Sequence, residues 1–417
     1  MKKGLLILLV WAVGMPLFSQ QVTEESVVIN VEVPVRVFSG GDFVENLTID
    51  DFEIYEEGVP QSIEAVYLVK KRSIERSEEK RRFSPQTSRN FYLFFELTEH
   101  NPRLEDAVSY FVQNTLYPGD NLTVVTPMKT YQLRGKALEV KSREEIIEQL
   151  KGLIRRDTLI GSSEYNNTIH SLENLARSLS TAITTALQDQ DDTLSDPIFQ
   201  QMTQIPDTEF QSRSVDEQLQ IYHDFLMKLE SIRRVDEEQM FNLAEYLKDK
   251  EGQKYVYMFY QKEYVPQVDP NILGQYMTLY QDRPDIAQTI SSLFEFFKRD
   301  IEFDVEGIKQ AFADSSVSIH FLYITKPSPR PMGVYMNERS EDIFGPFREM
   351  SRATGGYADS SANPDYLFQQ AVLASDNYYL LYYSPKEYTS DGEFKSIRVR
   401  VKDKNYQITH RLGYFAK

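Results

Sequence analysis

The spacing of hydrophobic and polar positions changes several times along the chain, and each change predicts an element. Residues 27–37 alternate almost strictly, with Val27, Ile29, Val31, Val33, Val35 and Val37 on one side and Asn30, Glu32, Pro34 and Arg36 on the other. That pattern predicts a half-buried antiparallel strand, and Pro34 predicts a place at a sheet edge. Residues 52–55 and 63–69 predict two further strands joined by a turn at Glu57-Gly58. Residues 91–95, Phe-Tyr-Leu-Phe-Phe, are apolar without interruption. A run so short and apolar on both faces fits a central strand of a parallel sheet covered by helices. Residues 122–126, 255–260 and 317–323 have the same character.

Between these runs the period lengthens to that of a helix. Leu104, Ala107, Val108, Phe111 and Leu116 share one helical face, and Pro118-Gly119 ends it; Ile146, Ile147, Leu150 and Ile154 share another. Two long helices, about 164–187 and 215–249, are expected around a polar loop at 188–214, with more helix at 269–299, 302–313, 342–353 and 363–374. Strands return at 378–383, 394–402 and 406–412, the last two read as a hairpin across Lys404-Asn405. Residues 70–89 are charged, poor in apolar residues and aperiodic, which reads as a linker. The map is therefore a signal peptide over 1–20, an N-terminal β module over 21–72, a charged linker over 73–89, an α/β domain over 90–375 with a helical insertion at about 161–252, and C-terminal strands over 376–417. The terminal strands at both ends have one apolar face each. They are expected to pack as one β-sandwich, since small isolated sheets are marginal in water.

Composition narrows the function classes. The chain has 417 residues, 26 Tyr and 25 Phe, enough apolar material for a substantial core. A net charge of −17 argues against a nucleic-acid partner, whose phosphates it would repel. The absence of Cys removes disulfides, thiolate metal sites and cysteine nucleophiles. Lys2 and Lys3 followed by an apolar run from Leu5 to Val13 and a polar segment from Ser19 read as a secretory signal peptide, with a mature chain that begins near Gln20 or Gln21 and has no membrane span. Secretion or residence in a periplasm follows.

Five segments, with the strand at Phe91, resemble in order the secreted bacterial von Willebrand factor A-related domain proteins. They are Val31-Glu-Val-Pro-Val35, Leu47-Thr-Ile-Asp-Asp-Phe-Glu-Ile-Tyr-Glu56, Thr354-Gly-Gly356, Tyr378-Tyr-Leu-Leu-Tyr-Tyr-Ser-Pro385 and Arg411-Leu-Gly-Tyr-Phe415. The resemblance implies a doubly wound, mostly parallel α/β sheet of the A type. It also implies a magnesium-binding rim, the metal-ion-dependent adhesion site, with Asp-x-Ser-x-Ser after the first strand. Here the rim departs from that pattern. Glu96 stands for the Asp, Thr98 keeps a hydroxyl, His100 replaces the second Ser, and the second loop offers Ser162 or Ser163. Lys262 brings a positive charge to the third loop, beside Glu263. Hard cations need several oxygen ligands in near-ideal geometry, so no bound metal or other cofactor is expected.

The expected function is a metal-independent protein-binding or scaffolding module, not an enzyme. Its partner would meet a rim of Glu96, Thr98, Glu99, His100, Lys262 and Glu263. The alternatives are an adhesion module that binds Mg2+ through Glu96, Thr98 and Ser163, and a hydrolase whose site is hidden. The common phosphate-loop, zinc-protease and serine-hydrolase motifs are absent.

Overall fold

The strand Arg89–Glu96 lies in the middle of a six-stranded sheet whose order is Ala358–Ser361, Val317–Ile324, Gln253–Gln261, Arg89–Glu96, Asn121–Val125 and Thr130–Leu133. The first five run parallel, and the last turns back antiparallel. The computed structural model describes residues 29–188, 210, 212–402 and 405–417. The signal peptide read at 1–20 and most of the loop read at 188–214 lie outside the described residues. Among the described residues no helix is long and apolar enough to cross a membrane.

Both faces of this sheet are covered, which is why its central strands read as unbroken apolar runs. Phe91, Leu93, Phe95, Tyr257 and Phe259 pack against the helices Arg103–Asn114, Arg143–Gly161 and Pro364–Asp376. Tyr92, Val256, Ile319 and Phe321 pack on the opposite face against Glu237–Lys248, Val305–Asp314 and Glu341–Ala353. Capping sets the helix starts: Ser142 accepts a hydrogen bond from the Glu145 amide, and Ser214 and Glu217 form a reciprocal capping box.

The remaining strands form three further sheets, all antiparallel. The largest has the order Gln407–His410, Val31–Ser39, Asn377–Tyr383, Ile63–Lys70 and Ser73–Glu79, with Asp42–Phe43 paired to Val31–Ser39. A second places Phe394–Val401 between Gly413–Phe415 and Phe52–Glu56, with Val59–Gln61 beyond. The third pairs Tyr264–Gln267 with Tyr335–Glu338. The fold class expected from the sequence is therefore corrected. The chain is a mixed α/β protein in which antiparallel sheets predominate, and its one sheet with parallel pairs is mixed. It is not a doubly wound parallel sheet of the von Willebrand A type. An uninterrupted apolar run reports burial on two faces, and a strand inside an antiparallel or mixed sheet meets that condition as well.

Strands from both chain ends do pack around one shared core, as expected, but in another arrangement. The two chain ends do not form separate layers; they interleave within the same sheets. Val31–Ser39 sits between Asn377–Tyr383 and Gln407–His410, and Phe52–Glu56 lies beside Phe394–Val401. Val33, Val35, Ile54, Leu381 and Val399 then share one core. Val31–Ser39 is thus an interior strand, and Pro34 falls just before its ladder with Gln407–His410 begins at Val35. Gln407–His410 pairs with Val31–Ser39 and not with its neighbour in sequence, so the hairpin read at 394–412 does not form; Asp403 and Lys404 lie outside the described residues.

Two local readings change as well. Ser73–Glu79, read as linker, is an edge strand on Ile63–Lys70. The helix read over 215–249 is two, Val215–Arg233 and Glu237–Lys248, because Asp236 caps the second by accepting from the Gln239 amide. The polar side of Val31–Ser39 faces protein: Gln253 donates to Glu32 at 3.1 Å, and Arg36 donates to the Gly355 carbonyl and the Ser318 hydroxyl, both at 3.1 Å.

Candidate functional site

Arg89–Glu96 and Gln253–Gln261 run side by side and end together. The chain next in sequence pairs on the far side of Arg89–Glu96, in Asn121–Val125. The chain therefore leaves the two strands in opposite directions, the switch-point arrangement that favours a crevice at the carboxyl ends of strands.

Glu96 is exposed, yet the surrounding protein raises its carboxyl above the ordinary value by burial. Both hold if Glu96 lies on the floor of an open crevice, close to many protein atoms while still in reach of solvent. It has no hydrogen-bond or ion-pair partner among the described residues. Its neighbours are committed. The Thr98 hydroxyl donates to Gln261 Oε1 at 3.3 Å, and the Glu99 amide donates to the same oxygen at 3.1 Å. Gln261 Nε2 donates to Glu99 Oε1 at 3.0 Å, and Lys326 Nζ reaches that oxygen at 2.9 Å. Asn166 Nδ2 donates to the Thr98 carbonyl at 2.8 Å and to Ser162 Oγ at 3.0 Å.

The other residues read as rim are distributed differently. His100 sets Nε2 3.3 Å from the Glu105 carboxylate in the first turn of Arg103–Asn114, so it holds its own loop. Lys262 pairs with Glu338 at 3.3 Å over the Tyr264 ring. Glu263 is turned inward and buried; Arg233 from the helical insertion lies 2.7 Å from its carboxylate and 3.0 Å from that of Asp342. Burial opposes the Arg233 charge, but Glu263 and Asp342 outweigh it and hold its pKa above the usual arginine value. Ser163 is exposed at the start of Ser163–Gln188, while Ser162 faces the Thr98 loop through Asn166. Among the described residues no three His, Asp or Glu side chains are grouped to hold a metal ion.

Three exposed apolar side chains lie on the two elements that meet at Gly161. Met128, Leu159 and Ile160 are 45%, 56% and 51% exposed. Gly161 brings the two elements together: it packs so tightly on the Pro127-Met128 loop that a Cβ there would come within 2.5 Å of Pro127 Cβ. Ser162 follows at once and contacts the Thr98 loop through Asn166. Sequence reasoning missed Gln261, Lys326, Asn166 and this ridge. One signal was available: Gln261 ends an apolar strand in a polar side chain, as Glu96 does.

The only histidine beside a serine hydroxyl among the described residues is His320, with Nε2 3.0 Å from Ser375 Oγ. The Tyr357 amide donates to His320 Nδ1 at 3.1 Å, so Nε2 carries the proton and donates. Tyr257 also donates to Ser375 Oγ at 3.0 Å, and Ser375 in turn donates to the Ala371 carbonyl at 2.6 Å. This is a closed buried network in which the imidazole has no free lone pair to take a proton from the serine. No family model, curated protein or solved structure matches this chain.

Proposed function

We propose that the chain is an exported protein-binding module that grips its partner without a metal ion, through Glu96 and the ridge of Met128, Leu159 and Ile160. Membership of the secreted family that the ordered segments resemble is part of this proposal and rests on those segments. One observation carries the reading: an acidic side chain with no counter-charge among the described residues, at the ends of two adjacent central strands whose following chains diverge. A partner segment that presents a lysine or arginine beside an apolar residue satisfies both the acid and the ridge. The cation meets Glu96 where desolvation strengthens the attraction, and the apolar residue covers the ridge. Thr98 and Glu99 support the metal-free reading. The Thr98 hydroxyl already donates to Gln261, the Glu99 carboxylate already accepts from Gln261 and Lys326, and the Lys326 ammonium supplies the positive charge that a cation would otherwise bring.

The test is site-specific photo-crosslinking in the full chain. A crosslinker at Leu159 captures one partner, capture persists in EDTA, and Glu96→Lys abolishes it. Capture that is lost in EDTA and restored by Mg2+ would favour metal-dependent adhesion. Capture unaffected by Glu96→Lys would remove the crevice from the interface.

A further inference from the structure

A second recess lies at the opposite end of the central sheet. Arg89–Glu96 has eight residues, so the two sites are about 25 Å apart at the usual rise per strand residue. The recess opens under the turn between Ile63–Lys70 and Ser73–Glu79. Lys71 in that turn has φ 56°, a left-handed conformation that is strained for a non-glycine residue. The position is held from both sides: its amide donates to the Asp376 carbonyl at 2.6 Å, and its ammonium donates to the Tyr117 hydroxyl at 2.9 Å and lies 5.3 Å from the ring centre. Beneath it is a cleft of about 510 Å³ walled by Tyr110, Asn114, Tyr117, Asp376 and Asn377.

The cleft's bonding groups are only partly used. The Asp376 carboxylate accepts no hydrogen bond and meets Arg89 at 3.6 Å, an ion-pair distance. The Asn377 side chain and the Tyr110 hydroxyl have no partner among the described residues. The wall thus offers a carboxylate and an amide oxygen that accept, an amide nitrogen and a phenol that donate, and the Tyr110 ring, the Tyr117 ring being already met by Lys71 and Arg89. Its helices restrict the charge of what can enter. Arg103–Asn114 and Pro364–Asp376 both meet the cleft with their carboxyl ends, the negative ends of their dipoles, which disfavours phosphate or carboxylate groups. With the Lys71 ammonium and the Asp376 carboxylate both lining the cleft, and Arg89 on that carboxylate, little net charge remains to select a cation.

We propose that this cleft is a binding site for a neutral saccharide. A sugar ring has hydroxyls that both donate and accept, matching the mixed wall, and a C–H face that packs on tyrosine. The cleft volume is within the range of small-ligand sites. This inference is independent of the protein-binding reading, because it uses other residues at the other end of the sheet.

The test uses the full secreted chain and four neutral probes, galactose, N-acetylglucosamine, cellobiose and maltose, with glycylglycine and inorganic phosphate as charged controls. Saturation-transfer NMR and calorimetry are expected to show saturable binding of at least one sugar and none of the controls. Asn377→Ala and Tyr110→Phe each weaken it about tenfold, near the upper end for one hydrogen bond. Lys71→Asn, which keeps a residue tolerant of the left-handed turn, also weakens it, while the melting temperature stays close to that of the parent chain. Binding by none of the four sugars, binding of a charged control instead, or sugar binding indifferent to all three substitutions would overturn the proposal.

Discussion

The Arg233 guanidinium lies 2.7 Å from the Glu263 carboxylate, and that pair joins the helical insertion to the chain just beyond the central strand Gln253–Gln261. Both side chains are almost fully shielded, and Asp342 adds a second carboxylate at 3.0 Å. Arg233→Met removes the one cation and leaves two buried acids without it. Breaking a buried pair from one side costs about 3–5 kcal/mol, far more than the net worth of the pair. Urea denaturation at pH 7 should show a loss of that size, and partial recovery when Glu263→Gln and Asp342→Asn are added. A loss under about 1 kcal/mol would place the pair with ordinary surface bridges.

Acid should weaken the fold through two histidines. His320 and His410 are held below the usual histidine range, chiefly by burial. For His320 the nearby Arg36 charge adds to the effect; for His410 the bond to the Arg411 carbonyl opposes it. Below about pH 6.5 the unfolded chain binds protons at these positions while the folded chain does not. Their contribution is complete above that pH and declines as the pH falls toward the folded values. The free energy of unfolding should therefore be lower at pH 5.5 than at pH 7.5, and His410→Gln should reduce the difference. Equal stability at the two pH values would contradict the buried neutral assignment.

Lys254 is a buried cation that gains little from its surroundings. Its ammonium donates to the Lys250 carbonyl at 3.1 Å, and burial, reinforced by the Arg411 charge, lowers its pKa to about 8. The unfolded side chain holds its proton up to the ordinary lysine range, so stability is lost as the pH falls through that range toward 8 and stays reduced below it. Lys254→Met keeps the length of the side chain without the charge. It should stabilise the protein at pH 7 by roughly 1–3 kcal/mol, with the gain shrinking above pH 9. Calorimetric melting across that pH range checks both the sign and the trend.

Much of this architecture was legible because burial leaves a periodic trace. The strands at Phe91 and Tyr255 show as unbroken apolar runs, and that at Val317 as a run broken only by Ser318 and His320, since helices cover both their faces, and the helices around them show one apolar stripe each. Pairing partners leave no such trace. Nothing in the alternation of Val31–Val37 says that its neighbours are Tyr379–Tyr383 and Gln407–His410, over 300 residues away in sequence. The hairpin ending at Glu79 was hidden for another reason: its turn is Lys71-Arg72, without the glycine or asparagine that usually marks a left-handed position, and its second strand is polar on both faces. The rim was half legible. Thr98 and Glu99 follow an apolar strand and share Gln261 at its end, while Glu96 makes no hydrogen bond or ion pair among the described residues. Glu263 follows another and turns into the core, because charge alone does not tell on which side of the chain an acid will lie. Leu159 and Ile160 were not singled out in the sequence, because only packing shows that they face out.

Truncation after Asp376 tests the interleaving of the two chain ends. Asn377–Tyr383 lies between Val31–Ser39 and Ile63–Lys70 and pairs with both. Its removal splits the largest antiparallel sheet through its middle. The same cut takes Phe394–Val401 from beside Phe52–Glu56 and removes Tyr379, Leu381, Tyr383, Ile397, Val399 and Val401 from the shared core. Each buried aliphatic or aromatic side chain contributes about 1.5–3 kcal/mol by burial. Six together exceed what the remaining short strands can replace, since sheets of two or three strands with an open face are marginal in water. Hydrogen exchange should therefore lose protection over 31–39, 52–56 and 63–70 in the truncated chain. Protection at 91–95 and 255–260 should survive longer, because those strands keep both helical layers apart from their contacts with the lost segment. If 31–39 and 63–70 stay protected without residues 377–417, the N-terminal strands fold by themselves and the pairing across the chain ends is not what holds them.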